Sequence, residues 1–292
     1  MKTPQQTYEE LNRAIGTEVY LKREDQHKYK SHKGRSIPPM IKAYAKEGTS
    51  HFVISSSGNA AIAAGLAVEN HNRNNPQNPI SLTVFVGQHI DEKKLGVLRN
   101  ELKDSGISIE QVERPKQQAF QLDKEGKAKN LRQSTDDLAL EGYFSLADDV
   151  SKIPNLQAVF IPTSSGTTAQ ALHAGFGQLG LTVQIHIVQT VSCHPIAGEF
   201  DIDFVDEKNS IAGAIVDNVA HRKTKVVEAV KESKGFGWIV TNEQINEAKK
   251  MVRENANIEL SANSALAVAG LKKAIGKGWK LEGPVVCIVT GM

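Results

Sequence analysis

The stretch Tyr20-Leu21-Lys22-Arg23-Glu24-Asp25-Gln26-His27-Lys28-Tyr29-Lys30-Ser31-His32-Lys33-Gly34-Arg35 decides how the rest of this chain reads. Residues 19–21 give a short strand signal that runs into a charged turn, and a helix signal follows. At the junction sits Lys33, flanked by small or polar residues, where its amine can project into a cleft. Two later stretches repeat the layout: Ser55-Ser56-Ser57-Gly58-Asn59-Ala60 and Pro162-Thr163-Ser164-Ser165-Gly166-Thr167-Thr168. Each is a small-residue loop between a strand signal and a helix signal. In such a loop, backbone N–H groups and a helix N-terminus can receive an anion. An amine attacks a carbonyl carbon only when neutral, and a lysine in water is protonated near neutral pH. Partial burial lowers its pKa and makes it usable. Lys28, Lys30 and Arg35 are expected to push the same way by like-charge repulsion. Each feature alone also reads as a solvated lysine or a capped helix start; the three together point to a site.

The 292 residues suit two domains, and a hydrophobic fraction of 40% supports a sizeable core. Thirty-five basic against 33 acidic residues leave a net charge of +2, which gives no electrostatic footprint for nucleic acid. No apolar run approaches the roughly 18 residues a membrane helix needs. The N-terminus lacks the apolar stretch of a signal peptide, so a cytoplasmic protein is expected. Cys193 and Cys287 lie far apart without C-x-x-C spacing, so two reduced structural thiols are expected, with neither a disulfide nor a metal site.

Strand and helix signals alternate along the chain. Residues 36–47 read as a helix with Pro38 and Pro39 near its start. Residues 51–54 form a short apolar run, and the alanine-rich 59–70 is helical. Strands are predicted at 80–86 and 107–109, with a helix at 91–104 between them. Residues 115–139 read as a solvated helix and 143–146 as a fourth strand. Residues 158–161 form another strand, followed by the Thr163 loop and a helix to about 178. Strands at 183–188 and 238–240 come next, with a helix at 226–232. Thr241 and Gln244 spell a capping box. A helix at 261–273 and a strand at 285–290 close the chain, while 194–219 follows no clear period. The alternation predicts an α/β fold with open, mostly parallel sheets and helices on both faces.

The ordered motifs resemble the fold-type II pyridoxal phosphate enzymes: threonine synthase, threonine and serine dehydratases, and cysteine synthase. The resemblance runs through Thr3-Pro4-Gln5, Lys22-Arg23-Glu24-Asp25, Ser31-His32-Lys33-Gly34-Arg35, Ser56-Ser57-Gly58-Asn59, Thr163 to Thr167 and Val285 to Thr290, over nearly the whole chain. It implies pyridoxal 5'-phosphate as cofactor, bound in a cleft between two domains, with Lys33 as its Schiff-base lysine. A loop at Thr163, Ser164, Ser165, Gly166, Thr167 and Thr168 would cradle the phosphate. Asn59 would hydrogen-bond the ring hydroxyl, while Ser56, Ser57, Gly58, Asn59 and Ala60 would hold the substrate carboxylate. Thr290 would face the pyridine nitrogen, and a neutral hydroxyl there favours β-elimination or replacement over transamination. The family implies a small mobile domain at about 40–150 and a large cofactor-binding domain at 1–39 plus 151–292. It also implies a small amino-acid substrate, hydroxy or O-phospho, and a homodimer.

This loop carries one glycine where the family often has three or four, so a serine in a positive-φ position would be strained. Within the family the motifs match threonine synthase best, then threonine/serine dehydratase, then cysteine synthase. His32 before the lysine is similar to the tryptophan synthase β branch, but the phosphate loop of that branch is missing. The serine-rich loop and the chain end two residues after Thr290 feed another reading, a non-catalytic ligand-binding protein on the same fold. Two decoys fall away. Gly175-Phe176-Gly177-Gln178-Leu179-Gly180 lies between a helix and a strand, the reverse of the dinucleotide-binding order. Ser55 to Ser57 lack the G-x-S-x-G elbow of a serine hydrolase.

Overall fold

The alternation of strands and helices builds two separate sheets in the computed structural model, which describes residues 2–205 and 207–291. The chain opens with β1 (Gln5–Thr7), α1 (Glu9–Ile15) and β2 (Val19–Arg23). It continues through α2 (Lys33–Lys46), β3 (His51–Ser55), α3 (Asn59–Asn74), β4 (Ser81–Gly87), α4 (Glu92–Glu101) and β5 (Ile107–Val112). Next come α5 (Pro115–Lys124), β6 (Lys129–Asn130), α6 (Leu138–Val150), β7 (Ala158–Pro162), α7 (Thr167–Gln178) and β8 (Gln184–Thr190). The last elements are α8 (Lys223–Glu232), β9 (Gly237–Val240), α9 (Asn242–Ala256), α10 (Ala262–Gly276) and β10 (Val285–Val289).

Among the described residues, the larger sheet has the order β1-β2-β10-β7-β8-β9 and the smaller one β5-β4-β3-β6. Only the β1–β2 pair is antiparallel among these pairings. The central strands β7 and β10 are buried at every residue. Continuous apolar runs are what a parallel sheet covered on both faces requires. Cys287 on β10 and Cys193 after β8 are buried free thiols. His186 on β8 stacks on Phe160 at 4.4 Å and accepts the Trp238 indole N–H at Nδ1. Burial draws its pKa down to about 3, so it serves as a neutral hydrogen-bonding core residue.

Two compact units result: residues 1–27 with 143–292, and residues 28–142. Their boundaries differ from the expected 40–150 and 1–39 plus 151–292. Residues 28–39 group with the smaller sheet because α2 packs on α3 through Ile37, Met40 and Ile41. Residues 143–150 group with the larger sheet, where buried Asp149 pairs with Lys22 of β2.

Two expectations of secondary structure fail for physical reasons. Residues 143–146 are helical, inside α6, because Ala139, Tyr143, Leu146, Ala147 and Val150 recur at helical spacing and are all buried. The fourth strand of the smaller sheet is instead the two-residue β6, within the stretch 115–139 read as one helix. That helix ends at Lys124, just before Gly126 at φ +68°. In addition, α2 starts at Lys33 rather than 36, which puts Pro38 and Pro39 in its second turn. Those prolines withhold the helical donors of the Gly34 and Arg35 carbonyls. Gly142 packs on the Arg35 carbonyl so closely that a Cβ there would overlap it.

Candidate active site

The residues singled out from sequence fall on both compact units. Lys33 and Ser56 to Ala60 belong to the smaller, Thr163 to Thr168 and Thr290 to the larger.

In the smaller unit, Lys33 opens α2 directly after the turn in which Gly34 N–H donates to the Ser31 carbonyl at 3.0 Å. Its side chain is half-buried and has no hydrogen bond or ion pair among the described residues. Burial lowers its pKa from 10.5 to about 8. The expected push from neighbouring cations is not the cause. Lys30 is neutralised by Glu101 at 2.5 Å, and Lys28 sits 5.0 Å over the Tyr29 ring. Desolvation alone brings the amine within reach of neutrality near physiological pH.

Asn59 opens α3, and α2 and α3 pack together. The loop before it is not spent on capping. Gly58 is the N-cap without a side-chain bond, and among the described residues Ser56 Oγ accepts only the Gly58 N–H, at 3.3 Å. Ser57 and Gly58 are exposed, while Asn59 and Ala60 are half-buried. Open space stands where a Gly58 Cβ would point. Ser57 also lines a pocket of about 430 Å³ with Gln88, His89 and Lys94.

In the larger unit, the loop 163–168 leaves the carboxyl end of β7 and enters α7. Gly166 is the N-cap of α7 at φ +87°, the left-handed region that glycine tolerates. The expected strain at a serine does not arise: Ser164 and Ser165 keep negative φ, and the single positive-φ position of the loop holds its single glycine. A Cβ on Gly166 would also stand 2.5 Å from Val226 Cγ2 and 3.3 Å from Ile196 Cδ1. The loop is held from beneath. Thr163 Oγ1 donates to the Ile161 carbonyl at 2.8 Å. Buried Gln189 donates to the Thr163 carbonyl at 3.2 Å and accepts the Ile196 and Ala197 N–H groups at 2.9 and 2.8 Å. Ser165 Oγ and Thr167 Oγ1 share a hydrogen bond at 2.9 Å, and Ser164 Oγ accepts Val216 N–H at 3.3 Å.

Thr290 follows β10, the strand paired with β7. The register Val285↔Ala158 to Cys287↔Phe160, carried to the strand ends, sets Thr290 level with Thr163. The 163–168 loop and Thr290 thus share one carboxyl edge of the sheet, where ligands of open α/β sheets bind. Buried Thr290 lies 3.4 Å from Ser264 Oγ, which donates to the Gly291 carbonyl and accepts its N–H. Ser261, the α10 N-cap, also donates to the Gly291 carbonyl, at 2.7 Å.

Sequence reading missed this support, although Ser261-Ala262-Asn263-Ser264 before an apolar helix is a visible cap signal. It also missed what the Lys22 to Asp25 motif does. Lys22 Nζ donates to the Thr3 carbonyl at 2.9 Å and to Asp149 at 3.1 Å, both buried. Glu24 accepts from the Thr3 hydroxyl, and Arg23 makes a two-point bond to Asp25 at 2.8 and 2.6 Å. The motif ties the strand before Lys33 in place.

The smaller unit thus carries an amine of lowered pKa without a hydrogen-bond or ion-pair partner among the described residues, and the larger unit carries a glycine-pivoted loop at a helix N-terminus with a hydroxyl beside it on the same sheet edge. Two residues before Lys33, the buried Ser31 hydroxyl has no hydrogen-bond partner among the described residues. The chain belongs to the pyridoxal-phosphate dependent enzyme family, whose model matches residues 1–291, and members of that family depend on pyridoxal 5'-phosphate. It is 29% identical over 176 residues to the threonine synthase of Methanocaldococcus jannaschii, covering 55% of this chain and 44% of that one. It is 31% identical over 158 residues to the Homo sapiens L-serine dehydratase/L-threonine deaminase, covering 52% and 44%. These matches span about half the length of the curated relatives. The fold is similar to the crystal structure of serine racemase from Dictyostelium discoideum, with a TM-score of 0.80 at 21% identity, covering 100% of this chain and 92% of that one. No helix among the described residues is long and apolar enough to cross a membrane.

Proposed function

We propose that this protein is a pyridoxal phosphate-dependent lyase that acts on a hydroxy or O-phospho amino acid by elimination or replacement, in the manner of threonine synthase. The observation that carries the reading is Lys33, a half-buried amine with no anionic partner among the described residues and a pKa drawn down to about 8. Lys33 would hold the cofactor through its aldehyde carbon and move the proton at the substrate α-carbon. Thr163 to Thr168 would hold the phosphate with backbone N–H groups, hydroxyls and the α7 N-terminus. Asn59 is assigned to the ring hydroxyl, Thr290 to the ring nitrogen, and Ser56 to Ala60 to the substrate carboxylate. The cofactor, when bound, supplies an electron sink for the carbanion at the α-carbon. A neutral Thr290 hydroxyl supports expulsion of a β- or γ-leaving group, because it does not enforce a charged ring.

A threonine or serine dehydratase is the second reading, supported by the 31% identity to the human dehydratase over 158 residues. Release of ammonia and a keto acid from serine or threonine would favour it. Release of phosphate from O-phosphohomoserine would favour the first.

The test of Lys33 is cofactor capture followed by borohydride reduction and peptide mapping. The label is expected on Lys33, and Lys33→Ala is expected to stay folded and unlabelled. Because the reactive form is the neutral amine, capture should speed up as pH rises through about 8 and level off above it. Label on another lysine would remove the assignment.

A further inference from the structure

We propose that the Ser31 hydroxyl is a further cofactor-positioning group, kept for an anionic oxygen that pyridoxal phosphate brings to Lys33; this rests on the reading of Lys33 above. Ser31 is fully buried, and its Oγ has no hydrogen-bond partner among the described residues. A buried hydroxyl left unpaired destabilises a fold, and alanine would occupy the same space without that cost. The local backbone does not need the hydroxyl. The turn into α2 uses the Ser31 carbonyl, which accepts Gly34 N–H at 3.0 Å, and the N-cap position is His32, which makes no side-chain cap bond. Ser36, equally buried five residues on, shows how this unit treats a structural hydroxyl: its Oγ donates to the Ala139 carbonyl at 2.8 Å.

Ser31 therefore carries a donor that the protein alone does not use, two residues from the amine that would anchor the cofactor. A ligand bound to Lys33 brings two anionic oxygens into that neighbourhood, the ring hydroxylate and the phosphate, each an acceptor for a hydroxyl donor. A charge-assisted bond to either is strong enough to set affinity.

The experiment compares Ser31→Ala with the wild type in two measurements: the thermal midpoint of the cofactor-free protein, and the dissociation constant for pyridoxal phosphate read from the absorbance of the lysine-bound cofactor. The expected result is an unchanged or raised midpoint together with affinity weakened about tenfold or more. Repeating the titration with pyridoxal locates the acceptor. A loss seen with both ligands places it on the ring, and a loss confined to the phosphorylated one places it on the phosphate. A lowered midpoint, or a variant that fails to fold, would show a structural hydroxyl and overturn the proposal. An unchanged dissociation constant would overturn it as well. Failure of the wild type to bind cofactor would instead remove the reading of Lys33 on which the proposal stands.

Discussion

At the scale of single residues, Gly166 shows how few positions of the candidate phosphate loop are geometrically forced. The serines around it keep negative φ, so the loop needs one glycine rather than three. That glycine is constrained twice, by φ +87° and by the 2.5 Å approach that a Cβ would make to Val226. An acidic residue there would therefore harm folding as well as repel a phosphate, so Gly166→Asp is a poor probe of cofactor binding alone. Gly166→Ala is expected to destabilise the cofactor-free protein by roughly 2–4 kcal/mol, from the left-handed backbone and the overlap together. Adding Val226→Ala should recover the overlap part and leave the backbone part. Denaturant unfolding of the two variants measures both, and full recovery would mean that the backbone conformation is not strained by a side chain.

At the scale of elements, the start of the chain is pinned by β2. Lys22 is 1% exposed and meets Asp149, the penultimate residue of α6, at 3.1 Å. Removing one member of a buried pair costs more than the pair contributes, because the remaining charge stays in a low-dielectric site. Lys22→Met is therefore expected to cost roughly 3–5 kcal/mol, and Lys22→Met with Asp149→Leu to recover most of it. Urea unfolding of the single and double variants tests this. A double variant no more stable than the single one would show that Asp149 is held by other partners. The same element scale explains why the Lys22 to Asp25 motif was legible as a motif but not in its role. Its partners Thr3 and Asp149 lie 19 and 127 residues away. No local periodicity encodes contacts of that range.

At the scale of the whole molecule, the candidate residues divide between the compact units by chemical role. The Lys33 amine and the loop proposed for the substrate belong to residues 28–142, and the loop proposed for the phosphate and Thr290 to the other unit. Inorganic phosphate alone should therefore slow amide hydrogen exchange at residues 164–168 and leave residues 56–60 unchanged. Protection at 56–60 without protection at 164–168 would move the phosphate to the smaller unit. Much of this protein is written locally in its residues. Apolar runs of strand length alternating with helical periods gave the parallel α/β class, and small-residue loops at strand–helix junctions marked the candidate site, because both are written within a few neighbouring residues. Tertiary structure alone decided the rest. It placed β10 between β2 and β7, bringing Thr290 level with Thr163, and it shortened the fourth strand of the smaller sheet to Lys129–Asn130. It gathered residues 28–142 into one compact unit, and among the described residues it left Ser31 buried without a partner while Ser36 found one. Those outcomes depend on which distant segments share a surface, and the free energy of that packing is absent from any local stretch of the chain.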